Sequence, residues 1–166
     1  SDDRSSFRSG DEALDRFFRQ YAGQNQFRHH LGVSSVAVEG NQVLGFATVA
    51  PARLEVDHLP ANARKKLPGY PIPVLRLARL AVDNSVRSQG IGKALLRFVC
   101  QLATKMADDF DCAGIVVDAK PEATEFYVKL GFAPFEAVEG ESDTRPRPTP
   151  MFLPMRAIQA AINLAH

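Results

Sequence analysis

The chain has 166 residues, of which 45% are hydrophobic and 23% are charged, and its formal net charge is +1. This length suits one domain, which we expect to span residues 1–166 and to bury a sizeable core. No apolar run approaches the ~18 residues of a membrane helix, and the first ten residues lack the apolar segment of a signal peptide. Cys100 and Cys112 lack metal-ligand spacing, so we expect buried thiols, a cytoplasmic location and no metal site.

Positive charge is concentrated in the middle of the chain. Residues 53–93 hold eight basic and three acidic side chains, a local net charge of +5 within a nearly neutral protein. Such an excess attracts a polyanion, whether a nucleotide or RNA. The cluster at residues 64–66, Arg64-Lys65-Lys66, fits a solvent-facing basic loop equally well, so both interpretations stay open.

The first part of the chain predicts a helix followed by a hairpin. Gly10 and Asp11 suit a helix cap, and apolar residues follow at the i, i+3, i+4 and i+7 spacing of one helical face: Leu14, Phe17, Phe18 and Tyr21. Residues 32–50 predict two strands joined by a turn at residues 39–42. The proline-rich stretch 51–73 predicts a loop that contains a short helix at residues 61–67.

The clearest predicted element is a long helix that begins after Gly92 and follows a strand at residues 73–82. We expect one side of this helix to face the core through five apolar residues: Leu95, Phe98, Val99, Leu102 and Met106. A short buried strand at residues 114–119 comes next, and a helix at residues 121–131 follows it.

The last part of the chain predicts two more strands, at residues 132–136 and 151–158. A polar, proline-rich loop at residues 139–150 separates them, and residues 158–165 predict a terminal helix. Strands that alternate with helices indicate an α/β or α+β fold around a sheet with mixed pairing.

The segment Arg87–Lys93, here called the glycine loop, joins the strand at 73–82 to the long helix. The free N–H groups of a first helical turn, together with the helix dipole, bind anions. Gly90 and Gly92 allow a phosphate to approach the backbone closely, and Arg87 and Lys93 add positive charge. The loop has neither the Walker pattern nor the third glycine of G-x-G-x-x-G. A tight turn that merely starts a helix is the alternative.

Two separate motifs, in the right order, resemble those of the GNAT superfamily of acetyltransferases. The pattern Arg87-x-x-Gly90-x-Gly92 after the strand LRLARLAVD resembles the GNAT pyrophosphate loop, and EATEFYVKLGF at residues 122–132 resembles the second GNAT motif. The resemblance covers residues 34–135. It implies the GNAT fold, with a central twisted mixed β-sheet of about six to seven strands flanked by helices, and it implies acetyl-CoA as the cofactor.

The resemblance also implies roles for individual residues. The pyrophosphate would bind the whole glycine loop: Arg87, Ser88, Gln89, Gly90, Ile91, Gly92 and Lys93. Backbone groups of Leu80, Ala81 and Val82 would pair with the pantetheine arm as an added strand.

Tyr127 lies where the family keeps the tyrosine that protonates the departing CoA thiolate. A phenol suits this step because its pKa is near that of a thiol. The alternative is a half-buried core tyrosine on a helix. The family often carries a glutamate base on the strand before the glycine loop, but this strand has no carboxylate, and neither Asp83 nor Asp118 is assigned that role.

The N-terminal third resembles the GNAT toxins of bacterial toxin–antitoxin pairs, through an F-x-x-G motif at residues 7–10 and the helix that follows. Members of that group acetylate the α-amine of the amino acid on charged tRNA. The resemblance implies an RNA-facing surface in the +5 segment, with Arg76 and Arg79 nearest the substrate. It also implies that tRNA and a ribbon-helix-helix antitoxin are possible partners and that the protein can form a homodimer.

Three features depart from the toxins: a pI near 7.8, a long acidic loop at residues 136–150, and a tail at residues 155–166. A small amine or peptide is therefore the main expected acceptor. Aminoacyl-tRNA is the alternative, and a non-catalytic acyl-CoA-binding module is a third interpretation.

Overall fold

The computed structural model describes residues 4–11, 15, 32–55, 71–135 and 147–164. Its strands and α-helices are, in chain order, β1 Val33–Glu39, β2 Gln42–Leu54, β3 Ile72–Val82, α1 Ile91–Asp109, β4 Gly114–Ala119, α2 Thr124–Lys129, β5 Ala133–Pro134, β6 Thr149–Pro154 and α3 Met155–Leu164. Single 3₁₀ turns precede α1 and α2, at Asn84–Val86 and Pro121–Ala123. The helix expected at residues 61–67, the cluster at 64–66 and nearly all of the helix expected from Leu14 to Tyr21 lie outside the described residues.

The six strands form one mixed sheet flanked by helices, in the order β1-β2-β3-β4-β6-β5. This confirms the predicted fold class. Strands β1 and β2 form the expected antiparallel hairpin, with a register that runs from Val33 opposite Val49 to Glu39 opposite Gln42. Strand β6 lies between β4 and β5 and runs antiparallel to both.

The chain divides into two compact units, and the boundary passes through β3 and α1. The first unit comprises residues 1–50 and 77–101, and the second comprises residues 51–76 and 102–166. Each has its own core. In the first unit the buried cluster is Phe7, Val43, Phe46 and Ala81; in the second it is Leu54, Ile72, Val74, Val116 and Phe152. The single domain expected over residues 1–166 stays a prediction.

Close packing at the start of β4 explains one glycine of the second unit. A Cβ atom placed on Gly114 would lie 2.2 Å from the carbonyl oxygen of Leu153 and 2.9 Å from the Phe152 ring. Gly114 pairs with Pro154 in the antiparallel register of β4 and β6. The neighbouring Ala113 fixes this end of the strand, since its N–H donates to Pro73 and its carbonyl accepts from Met155, each over 2.8 Å. Only glycine lets β6 approach β4 so closely.

Three details differ from the sequence-based expectations. The strand expected at residues 151–158 ends at Pro154, and α3 already begins at Met155, because a helix carries Ile158 into the core, where it is 0% exposed. The helix expected over residues 121–131 is a 3₁₀ turn followed by α2, and the strand expected over 132–136 is the two-residue β5.

The buried side of α1 also differs from the expected one. Phe98 is 41% exposed, whereas Leu95, Leu96, Val99 and Ala103 are buried. Residues 95, 99 and 103 are about one helical turn apart and therefore lie on the same side of α1. Leu96 widens this buried side on the edge away from Phe98.

None of the described helices is long and apolar enough to cross a membrane. Among the described residues, no three histidine, cysteine or acidic side chains form a group that could hold a metal ion.

Candidate active site

The glycine loop lies at the start of α1, in the first unit. The first α-helical hydrogen bond runs from the N–H of Ala94 to the carbonyl of Gly90 over 3.0 Å. An α-helix that begins there leaves the N–H groups of Ile91, Gly92 and Lys93 without a carbonyl in a preceding turn. These groups point away from the helix at its positive end, which is the geometry that binds a phosphate.

The backbone of the loop is left-handed at two positions. Ser88 has a φ of 63° and Gly90 a φ of 82°, and residues 87–90 are exposed. A Cβ atom on Gly90 would meet no protein atom within 4 Å. Glycine at this position is therefore favoured by the positive φ and by the open approach to the backbone, not by packing within the protein.

The start of α1 is packed closely against β2. A Cβ atom on Gly45 would lie 2.8 Å from the carbonyl oxygen of Ala81, 3.0 Å from Leu95 and 3.2 Å from Ile91. The absence of a side chain at Gly45 therefore lets the first turn of α1 lie directly on the strand. This close approach fixes the helix end that carries the free N–H groups.

The side chain of Arg87 bonds to the protein itself. Its guanidinium donates to the carbonyl of Ser9, in the N-terminal segment, rather than standing free as a mobile cation. Of the other residues predicted for the cofactor, Ser88, Gln89 and Lys93 are exposed, and Leu80, Val82, Ile91 and Gly92 are half-buried. Ala81 is buried in the core of the first unit.

The second unit carries Tyr127, on α2. Its side chain is 5% exposed, and it makes edge-to-face contacts with Phe126 and Phe132 at ring-centre distances of 5.1 and 5.3 Å. Its carbonyl accepts the N–H groups of Leu130 and Phe132, each over 3.1 Å, and so ends the helix. The ring is therefore held in one orientation by packing and by the local backbone.

Burial also affects the pKa of Tyr127. Removal from water raises the pKa of its hydroxyl well above the usual value for tyrosine. A tyrosine of ordinary pKa is already protonated near neutral pH, and burial extends the protonated range to higher pH, so the side chain is suited to donating a proton rather than accepting one. The match to the pKa of a free thiol, expected from the sequence, does not hold for the buried side chain.

The two carboxylates considered for the general base, one in each unit, are both engaged. Asp83 is 8% exposed. Its Oδ1 accepts the N–H and the hydroxyl of Ser85 over 3.0 and 2.7 Å, and its Oδ2 accepts the N–H of Arg8 over 2.9 Å. Asp118 pairs with Arg76 over 3.2 Å on the surface of the second unit. Neither arrangement is that of a free general base.

The two arginines predicted to contact substrate have different surroundings. Arg76 is 40% exposed and its charge is opposed by Asp118. Arg79 is half-buried, and burial lowers the pKa of its guanidinium. Because side chains alternate along a strand and the two residues are three apart in β3, they leave opposite faces of the sheet.

Three features of the site were not anticipated from the sequence: the N-terminal segment at Phe7–Gly10, the contact made possible by Gly45, and the part played by Asp83. A signal existed for Asp83, because Asp83-Asn84-Ser85 is a typical start of a short helical turn. The other two depend on contacts between residues far apart in the sequence.

Comparison with known proteins identifies the family. Residues 29–134 match the acetyltransferase (GNAT) domain. The chain is a GNAT acetyltransferase. A tRNA-acetylating toxin of Mycobacterium tuberculosis is 35% identical to it over 135 residues, which cover 80% of this chain and 79% of the toxin.

Two solved structures agree with this assignment. AtaT complexed with acetyl-methionyl-tRNAfMet superposes with a TM-score of 0.83 at 26% identity and covers 97% of this chain and 92% of the AtaT chain. AtaTR bound with acetyl-CoA superposes with a TM-score of 0.76 at 26% identity and covers 97% of this chain and 91% of the matched chain. The fold expected from the two GNAT motifs is thereby confirmed.

Proposed function

We propose that this GNAT acetyltransferase moves the acetyl group of acetyl-CoA to the free α-amine of the amino acid on charged tRNA. The observation that carries the proposal is the similarity to a tRNA-acetylating toxin over 80% of the chain. A small amine or peptide, the acceptor first expected from the sequence, has no such support. Because its acceptor is aminoacyl-tRNA, the enzyme would act in the cytoplasm.

The residues of the glycine loop suit the pyrophosphate of acetyl-CoA. The N–H groups of Ile91, Gly92 and Lys93 supply donors at the positive end of α1, and the backbone at Gly90 is open to approach. Gly45 holds the first helical turn against β2. Backbone groups of Leu80–Val82 would bind the pantetheine arm, as the family resemblance implies.

Acetyl-CoA supplies an activated acetyl group as a thioester. The amine attacks the carbonyl carbon, a C–N bond forms, the C–S bond breaks, and the sulfur leaves with the electron pair of that bond. Tyr127 donates its phenolic proton to the departing sulfur, and the phenolate left behind regains a proton from solvent, so that CoA thiol and an unchanged tyrosine result. Because burial disfavours the phenolate, this transfer costs more than it would from a free tyrosine. Since Asp83 and Asp118 are engaged, the proton of the attacking amine passes to water.

Transfer to charged tRNA and to small amines should be measured side by side. The enzyme, [acetyl-¹⁴C]acetyl-CoA and charged tRNA are incubated, the tRNA is digested, and acetyl-aminoacyl-adenosine is detected by mass spectrometry. Uncharged tRNA is the control, because it lacks the α-amine. Acetylation of a small amine with no tRNA product would overturn the proposal in favour of the small-amine acceptor, and transfer to neither would favour an acyl-CoA-binding module.

The partners first expected from the toxin resemblance follow from the same proposal. A ribbon-helix-helix antitoxin should neutralise the enzyme, and a homodimer should be found by light scattering. If expression of the unmodified protein arrests growth and co-expression of a ribbon-helix-helix antitoxin relieves the arrest, the toxin interpretation is supported.

A further inference from the structure

We propose that the N-terminal segment Phe7–Gly10 and the buried Asp83 together position the glycine loop for acetyl-CoA, so that both act on cofactor binding without touching the cofactor. This inference rests on the proposed binding of acetyl-CoA by that loop. It assigns a role to a segment that lies more than seventy residues away in the sequence.

The N-terminal segment is anchored in the core of the first unit. Phe7 is 1% exposed and contacts Phe46 edge-to-face at a ring-centre distance of 5.6 Å. Ser9 is fixed separately, because its N–H donates to both oxygens of Asp15 over 3.1 and 3.0 Å and its hydroxyl donates to Oδ1 over 2.6 Å. The carbonyl groups of this segment are therefore held at defined positions.

Three hydrogen bonds join this anchored segment to the chain that enters the glycine loop. The N–H of Arg8 donates to Oδ2 of Asp83 over 2.9 Å, and the N–H of Asn84 donates to the carbonyl of Arg8 over 2.7 Å. The guanidinium of Arg87 donates to the carbonyl of Ser9. The links thus extend from the end of β3 to the first residue of the loop.

Asp83 is the centre of this arrangement. Its N–H donates to the carbonyl of Leu44 over 2.7 Å, and its two carboxylate oxygens accept from Ser85 and Arg8. Burial favours the neutral acid, but the hydrogen bonds from Arg8 and Ser85 outweigh it, so the pKa of Asp83 is lowered. The carboxylate is therefore ionised near neutral pH, and both oxygens act as acceptors.

The loop needs support at both ends because its own residues provide little. Residues 87–90 are exposed, and two of them have left-handed backbones. At one end, the start of α1 lies against Gly45. At the other, the links to Arg8 and Ser9 fix the approach from β3. A phosphate site made of backbone N–H groups depends on such fixed geometry, because a small displacement misdirects several donors at once.

The test is Asp83→Asn. An amide that keeps its oxygen toward Ser85 presents an NH₂ group to the N–H of Arg8, so that link is lost while the cap on the turn remains. We expect the Kd for CoA, measured by titration calorimetry, to rise about tenfold. The KM for acetyl-CoA should rise by a similar factor, whereas kcat at saturating acetyl-CoA should change by less than about twofold. Glu39→Gln, which removes an exposed carboxylate of the same unit, is the matched control.

A second variant keeps the proposal testable if Asp83→Asn fails to fold. Arg87→Met removes the bond to Ser9 at an exposed position, and it should raise the Kd for CoA as well, while Arg87→Lys should restore part of the affinity. Because loss of a direct contact between Arg87 and the pyrophosphate would also raise the Kd, amide hydrogen exchange at residues 88–92 is the deciding measurement. It should be faster in both variants in the absence of CoA. The combined effect of Asp83→Asn and Arg87→Met should be smaller than the product of the two, because both act through one segment.

Two results would overturn the inference. The first is an unchanged Kd for CoA in folded Asp83→Asn and Arg87→Met proteins. The second is a lower kcat of Asp83→Asn with an altered pH profile and an unchanged Kd, which would make Asp83 a proton-transfer group. Failure of the unmodified protein to bind CoA would overturn the assignment of the loop and this inference with it. Normal CoA binding without transfer to tRNA would overturn the proposed function alone, and the shifts in Kd would still support the inference.

Discussion

Replacing Tyr127 by phenylalanine separates its proposed chemistry from its packing. Phenylalanine keeps the ring, its burial and the edge contacts with Phe126 and Phe132, so the free energy of unfolding should change by no more than about 1 kcal/mol. Loss of the proton donor should lower kcat by roughly 10²-fold or more, which corresponds to about 2.7 kcal/mol of transition-state stabilisation. Tyr127→Ala, by contrast, should cost about 3–5 kcal/mol of stability through the cavity it leaves.

The assay is release of the CoA thiol, followed by its reaction with a chromogenic disulfide, at saturating acetyl-CoA and charged tRNA. Tyr70→Phe removes the same hydroxyl group at a position without a predicted role and serves as the control. The Kd for CoA should be the same in both variants and in the unmodified protein. Full activity of Tyr127→Phe would refute the reasoning and leave Tyr127 as a core residue.

The raised pKa of Tyr127 also predicts how stability and kcat depend on pH. A group whose pKa is raised by folding contributes fully to stability below its unfolded pKa of about 10, and that contribution is lost as the pH rises beyond it. The pH profile of kcat should therefore show no loss from Tyr127 ionisation below about pH 10. A loss near neutral pH that disappears in Tyr127→Phe would contradict the burial seen for this side chain.

Three further predictions address the cofactor, the fold and the acceptor. Gly90→Val should weaken CoA binding more than tenfold, a loss of at least ~1.4 kcal/mol. A β-branched residue strains a backbone with a φ of 82° and blocks the open approach of the pyrophosphate to that backbone. Unchanged affinity in a folded variant would remove the assignment of the glycine loop to the pyrophosphate. Gly114→Ala should lower the free energy of unfolding by about 1–3 kcal/mol in a denaturant titration, because its Cβ would lie 2.2 Å from the Leu153 carbonyl. If tRNA is the acceptor, alanine substitution of residues 64–66 should make the plot of log binding constant against log salt concentration less steep. The slope should change by up to ~2, since each phosphate contact contributes about −0.7, and small-amine turnover should stay unchanged.

The sequence alone determined the features that depend on near neighbours along the chain. The hairpin at residues 39–42, the long helix α1 and the glycine loop all follow from local patterns, because turns, helix faces and helix starts are set by residues within a few positions of one another. The presence of a helix at Tyr127 follows in the same way, although its bounds do not. The two motifs together were enough to recognise the acetyltransferase family.

Only the tertiary structure decided what each side chain contacts. The guanidinium of Arg87 could be assigned a positive charge from the sequence, but its bond to Ser9 could not. Phe98 fits the apolar face of α1 by spacing, yet Leu96 takes the buried position. The lowered pKa of Asp83 depends on hydrogen bonds from Arg8 and Ser85, and the raised pKa of Tyr127 depends on burial, so both follow from the fold. Such contacts join residues far apart in the chain, and a periodic pattern specifies only which residues share a face, not what packs against it.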